Sequence, residues 1–154
     1  MSRVKVLVVE DSLTVRRHLV GVLSADPDLE VIGETDSGLE AVELCEALRP
    51  DVLTLDMALS VLTGLEATER IMAHCPTPIL IVSSSTNRGE AFNTFDALVA
   101  GAVDVLEKPA GTDTDRDWER RLVAAVKMAA PLMNMRSACH WSLRVRIITA
   151  VARN

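Results

Sequence analysis

Several things that would decide the class of this chain outright are missing from it. No stretch reaches the roughly 18 uninterrupted apolar residues of a membrane-spanning helix, so neither a span nor a membrane partner is expected. No basic leader with an apolar core and a small-residue cleavage site precedes the first strand-like run, so a cytoplasmic location is expected. Cysteine is scarce. Cys45, Cys75 and Cys139 form an odd set without CxxC spacing, which argues against a disulfide framework and for free thiols in a reducing compartment. His18, His74 and His140 stand at no ligand spacing from them, which argues against a zinc site. Positive charge is in deficit, with 16 Lys and Arg against 22 Asp and Glu, a net charge of −6. That balance excludes a general nucleic-acid or anionic-membrane binder. There is no G-x-S-x-G nucleophile turn, no repeat and no low-complexity segment.

What remains is an ordinary soluble-domain composition, 49% hydrophobic and 25% charged in 154 residues, enough for one domain with a little over. The charge is uneven. Arg136, Arg144, Arg146 and Arg153 give residues 131–154 a charge of +4 with no acid, which leaves −10 on residues 1–130. The reading is therefore a domain over 1–130 and a basic tail over 131–154, either a helix extension or the start of an interdomain linker.

Along the domain, short apolar runs alternate with helical patterns. Val4–Val9, Leu29–Glu34, Asp51–Asp56, Ile79–Ser83 and Ala102–Leu106 read as strands. Ser12 is a candidate helix cap, and Ser37-Gly38 lead into the second helix. Val15, Leu19, Val22 and Leu23 share one helix face, as do Ala41, Val42, Cys45 and Leu48, and as do Leu65, Thr68, Ile71 and Met72. Asp26-Pro27-Asp28 and Pro50 end the first two helices. A helix over 90–100 groups Phe92, Phe95 and Val99 and stops at Gly101. A last helix beginning near 115–118 turns Leu122, Ala125, Val126 and Ala129 inward. This is a fivefold βα alternation, which predicts a parallel sheet with right-handed crossovers and a site at the C-terminal strand ends.

Those ends carry the chemistry. Strand one ends in Glu10-Asp11, strand three in Asp56 and strand four in Ser83-Ser84, while Lys108 follows strand five. Each has a bland reading alone: an acid pair favouring a helix dipole, a turn aspartate, a polar loop, a solvated lysine. Together at four strand ends they predict a site. Adjacent carboxylates repel unless a cation compensates, and Lys108 with a divalent ion would do so. Mg²⁺ suits one or two carboxylates plus water and phosphate oxygens. Asp56 would then attack phosphorus in line, with Lys108 and the metal neutralising the equatorial oxygens and Ser83 hydrogen-bonding the transferred group. Two rival chemistries fit less well. An aspartyl phosphatase needs a second acid two residues on, where Ala58 stands. A nucleotide site needs a glycine-rich cradle, where Glu10-Asp11-Ser12-Leu13 would repel phosphate.

The segments VLVVEDS (6–12), RPDVLTLDM (49–57), PILIVSS (78–84) and EKPAG (107–111) resemble the receiver domain of two-component response regulators over about residues 3–130. The resemblance implies a doubly wound (βα)5 flavodoxin-like three-layer fold with a five-stranded parallel sheet in order 2-1-3-4-5. It implies phosphoryl transfer from a sensor histidine kinase to Asp56, and Mg²⁺ held by Glu10, Asp11, Asp56 and the backbone carbonyl of Ala58. The segments 26–34, 64–72, 76–89 and 101–111 resemble more narrowly the regulatory half of chemotaxis protein-glutamate methylesterases, whose hydrolase domain has no counterpart here. An isolated receiver, or a single-domain relative or scaffold that acts through protein contacts, is the expectation. The implied partners are a chemotaxis-type kinase, a methylesterase domain and, weakly, a second copy. Three positions depart from the family pattern. Ser60 stands where proline is usual and Val105 where an aromatic switch residue is usual, so coupling of Ser83 to Val105 is in question. Ala58 and Ser85 give an attacking water little to hold, which predicts a long-lived acyl phosphate.

Overall fold

The computed structural model describes residues 3–84, 96–108 and 116–130. The order is β1 (Val4–Val9), α1 (Leu13–Ala25), β2 (Leu29–Thr35), α2 (Gly38–Leu48), β3 (Val52–Leu55), α3 (Gly64–His74) and β4 (Ile79–Ser83). Residues 96–100 are helical and are called α4. β5 (Asp104–Glu107) and α5 (Arg116–Ala129) follow. The strands form one parallel sheet in the order β2-β1-β3-β4-β5, the predicted doubly wound topology.

Alternation along the strands divides the core in two. Leu7 and Val9 of β1, Leu53 and Leu55 of β3, and Ile79 and Ile81 of β4 face one layer, with Ala41 and Cys45 of α2, Ala67 and Ile71 of α3, and Ala97 of α4. Val6, Val8, Val52, Leu80 and Val82 face the other, with Leu19 and Leu23 of α1 and Trp118, Leu122 and Val126 of α5. A sheet covered on both faces needs strands that are apolar on both sides, and β1, β3 and β4 are that.

The helices start where polar side chains meet open backbone N–H groups. The side chains of Ser12, Ser37 and Thr63 accept from the N–H groups of Val15, Glu40 and Glu66. α2 stops because Arg49 takes a left-handed conformation (φ 52°) just before Pro50, and Gly101 closes α4 at φ 124°.

Several expected boundaries move. β3 is two residues shorter than its pattern, and β5 begins at Asp104 because Ala102 packs in the core as part of the turn. Leu48, expected inward, lies at the rim of α2, 37% exposed. Ala125 is half-buried, flanking the α5 stripe. Phe92, Phe95, Ser85 and the tail over 131–154 lie outside the described residues. Cys45 and Cys75 are free and buried. Among the described residues no helix is long and apolar enough to cross a membrane.

Candidate functional site

Parallel pairing brings the C-terminal strand ends level. Val9 of β1 pairs with Leu55 of β3, and Ser83 of β4 pairs with Glu107 of β5. The next residues are Glu10, Asp56, Ser84 and Lys108. Their backbones are tied: the Asp56 N–H donates to Val9 O (3.0 Å), the Glu10 N–H to Thr35 O (3.0 Å) and the Lys108 N–H to Ser83 O (2.7 Å).

At this edge two carboxylates are sunk in the protein. Glu10 is 1% exposed and Asp56 5%. One cation serves both: the Lys108 ammonium lies 3.0 Å from Glu10 Oε2 and 3.4 Å from Asp56 Oδ1. The Ser12 N–H donates to Glu10 Oε1 at 3.2 Å and the Ala58 N–H to Asp56 Oδ1 at 3.2 Å. Burial, then the Asp56 charge, push the Glu10 carboxyl above its ordinary value, and Lys108 and Ser12 pull it only part of the way back. Glu10 Oε2 meets the ammonium as an ion pair, yet no donor is aligned on it as a hydrogen bond. Two buried negative charges against one positive charge leave an acid excess that suits a hard cation.

The other predicted residues take different stations. Asp11 is exposed and is not gathered into the buried cluster; its Oδ1 accepts the Ser60 hydroxyl at 3.1 Å. Asp11 thus stands at the exposed rim beside the buried Glu10–Asp56 pair. It also gives Ser60 a specific contact. Ser83 is buried (6% exposed), its hydroxyl making one long contact of 3.5 Å to Ser84 O. Ala58 is exposed at the loop start, and Val105 is half-buried against the α2–α3 layer. Among the described residues no three His, Cys, Asp or Glu side chains form a ready-made metal cage.

Three contributions were not read from the sequence. Gly64, the first residue of α3, packs on the Asp56 carbonyl so closely that a Cβ would sit 2.6 Å from it. The Trp118 indole N–H of α5 donates to Glu107 O, next to Lys108. Arg16 of α1 reaches back to donate from Nη1 to Glu10 O at 2.9 Å. Only Gly64 left a signal, a glycine where helix propensity would favour another residue.

Residues 6–116 match the family model described as the response regulator receiver domain. The chain belongs to the response regulator receiver family. This receiver is 48% identical over 126 residues to the protein-glutamate methylesterase/protein-glutamine glutaminase 3 of Anaeromyxobacter dehalogenans, an alignment covering 80% of this chain and 36% of that protein. It is 47% identical to the corresponding enzyme 2 of Carboxydothermus hydrogenoformans, over 73% of this chain and 31% of the relative. The receiver thus spans about a third of the length of these relatives. Its fold matches the response regulator domain of Thermotoga maritima CheB with a TM-score of 0.76 at 40% identity, covering 84% of this chain and 97% of that one. It also matches the signal receiver domain of the putative response regulator NarL from Mycobacterium tuberculosis, with a TM-score of 0.73 at 29% identity over 85% and 98% of the two chains.

Proposed function

We propose that this receiver accepts a phosphoryl group on Asp56 from the phosphohistidine of a chemotaxis-type kinase and thereby switches a protein-glutamate methylesterase. The observation that carries this reading is the buried Glu10–Asp56 pair sharing the Lys108 ammonium. A carboxylate kept from water beside a positive charge is poised to attack phosphorus. A bond forms from an Asp56 carboxylate oxygen to phosphorus as the phosphorus–nitrogen bond breaks, and the donor imidazole leaves with the electron pair. Lys108 offsets the charge on the phosphoryl oxygens, and the Ser83 hydroxyl, only weakly engaged at rest, turns to hydrogen-bond one of them.

Glu10, Asp11, Asp56 and the Ala58 carbonyl are the groups that would hold Mg²⁺. When bound, the ion supplies further neutralisation of the phosphoryl oxygens. Asp11, whose Oδ1 accepts the Ser60 hydroxyl, would be the exposed member of that set. Ala58, whose side chain is one methyl, leaves an attacking water unoriented, so the acyl phosphate is long-lived. Val105 transmits the state of Ser83 through aliphatic packing instead of a ring rotation. Residues 131–154 serve as the linker to the methylesterase domain, which the relatives' greater length supports.

The test is incubation of wild type and Asp56→Asn with a small phosphodonor and Mg²⁺, read by intact mass. One phosphoryl group is gained by wild type and none by the variant, and chelation of Mg²⁺ prevents the gain. Unmodified wild type would favour the scaffold reading instead. Release of phosphate within seconds would refute the long lifetime.

A further inference from the structure

We propose that Arg16 is a positioning residue for the acid pair: it fixes the Glu10–Asp11 peptide, and through it the affinity of the site for Mg²⁺. The inference rests on the receiver reading for the identity of the ion.

Arg16 is the fourth residue of α1 and closes its first turn. Its own N–H donates to Ser12 O, which ties it to the cap of the helix. Its side chain is only 15% exposed, and it turns back toward the sheet. Nη1 donates to the carbonyl of Glu10 at 2.9 Å, and Nε lies 3.4 Å from Glu34 Oε2 at the end of β2. One planar guanidinium thus joins α1, β1 and β2 at the strand ends. A fork with fixed directions holds two acceptors at once, which an ammonium does less well.

The carbonyl it grips belongs to the peptide that links Glu10 to Asp11. Rotation of that peptide redirects both side chains, one into the buried cluster and one toward the Ser60 loop. β1 has ended by this point, so the Glu10 carbonyl is held by Arg16 and not by a strand partner. A charge-assisted hydrogen bond is the stronger kind of anchor for such a carbonyl.

The sign of the effect separates this role from others. A cation beside a cation site repels the incoming ion, so loss of Arg16 by charge alone would tighten Mg²⁺ binding. Loss of the anchor loosens the acid pair and weakens binding. A mere brace between helix and sheet would change stability and leave affinity alone.

The experiment titrates Mg²⁺ into the full chain by calorimetry, with the amide resonances of Asp11 and Ser12 followed in parallel. Arg16→Met is expected to bind Mg²⁺ about tenfold more weakly, the lower end of what groups behind metal ligands contribute. Arg16→Lys recovers part of that loss. Glu34→Gln weakens binding less, and adds nothing in the Arg16→Met background, because both act through one guanidinium. The Asp11 amide shifts in both Arg16 variants before any Mg²⁺ is added. If Arg16→Met does not fold, the charge-conserving Arg16→Lys decides the matter: weaker Mg²⁺ binding with a shifted Asp11 amide supports the inference, and wild-type affinity overturns it. Unchanged or tighter binding in the variants overturns the inference, as does Arg16→Lys behaving like Arg16→Met. Wild type that ignores millimolar Mg²⁺ overturns the proposed Mg²⁺-dependent phosphoacceptor function instead, a distinguishable result.

Discussion

Two glycine-to-alanine substitutions in this chain should have opposite signs, and the difference follows from the surroundings of each Cβ. Gly64 opens α3 and lies against the chain that has just left the site. A Cβ there would stand 2.6 Å from the Asp56 carbonyl oxygen, 2.6 Å from Met57 Cα and 2.9 Å from Met57 Sδ. The sulfur can turn away. The two backbone atoms cannot, because the Gly64 N–H also donates to Met57 O at 3.1 Å and the Asp56 N–H is tied to Val9 O. Overpacking of this kind costs about 1–3 kcal/mol, and an immovable backbone puts it near the top, less the few tenths that alanine returns at a helix start. A net loss of roughly 2 kcal/mol lowers the melting midpoint of a domain this size by about 4–8 °C. Gly21 is the internal control. It is exposed in α1, and a Cβ added there would meet nothing within 4 Å. Gly21→Ala should therefore gain about 0.5–1 kcal/mol from helix propensity alone. Paired urea melts of both variants measure this. Because the strain at Gly64 falls on the Asp56 carbonyl, Gly64→Ala should also slow phosphorylation by a small donor, whereas Gly21→Ala should not. Equal stability of Gly64→Ala and wild type would refute the reasoning, as would a loss at Gly21.

Two further outcomes concern titration and thiol chemistry. Glu10 is held above its ordinary carboxyl value of 4.5, so the folded state keeps a proton that the unfolded state has released. Stability contributed by that proton is complete below 4.5 and is lost as pH rises through the folded value. In metal-free buffer, the stability of Glu10→Gln relative to wild type should therefore improve as pH is raised above 4.5; a flat or falling difference in denaturation midpoints would contradict this. Burial pushes the Cys45 thiol up to about 11, so little thiolate forms. Alkylation of native protein at about pH 8, mapped by peptide mass, should spare Cys45 and label it once urea is added; labelling at the same rate before and after unfolding would be the contrary result.

Periodicity and punctuation carried most of the fold. β1 and β4 could be read to the residue because a two-sided sheet demands unbroken apolar runs there. The cap Ser12 was legible because the interaction spans three residues, whereas Ser37 was read only as the lead-in to α2. β5 was misplaced by two residues because Ala102 and Val103 are as apolar as strand residues, while the Ala102 N–H still bonds back to Ala97 O of α4. At the site, Glu10, Asp56 and Lys108 were legible as strand-end polar residues, since topology alone brings strand ends together. Asp11 was named with them, but its contact with Ser60 left no signal in the sequence. Arg16 was not legible, because its role lies in a side chain folding back across a helix turn to a carbonyl that has no sequence signature.

The ion pair between Glu10 and Lys108 joins the first strand to the last. Its consequence reaches the order in which the chain is able to fold. β1 and β3 are neighbours in the sheet, and both contribute to the two core layers. Completing that pairing sinks Glu10 and Asp56 together, and until β5 docks there is no ammonium to meet them. Because the acids follow β1 and β3 and the ammonium follows β5, charge balance in the site depends on contacts far apart in sequence, which slow folding relative to local ones.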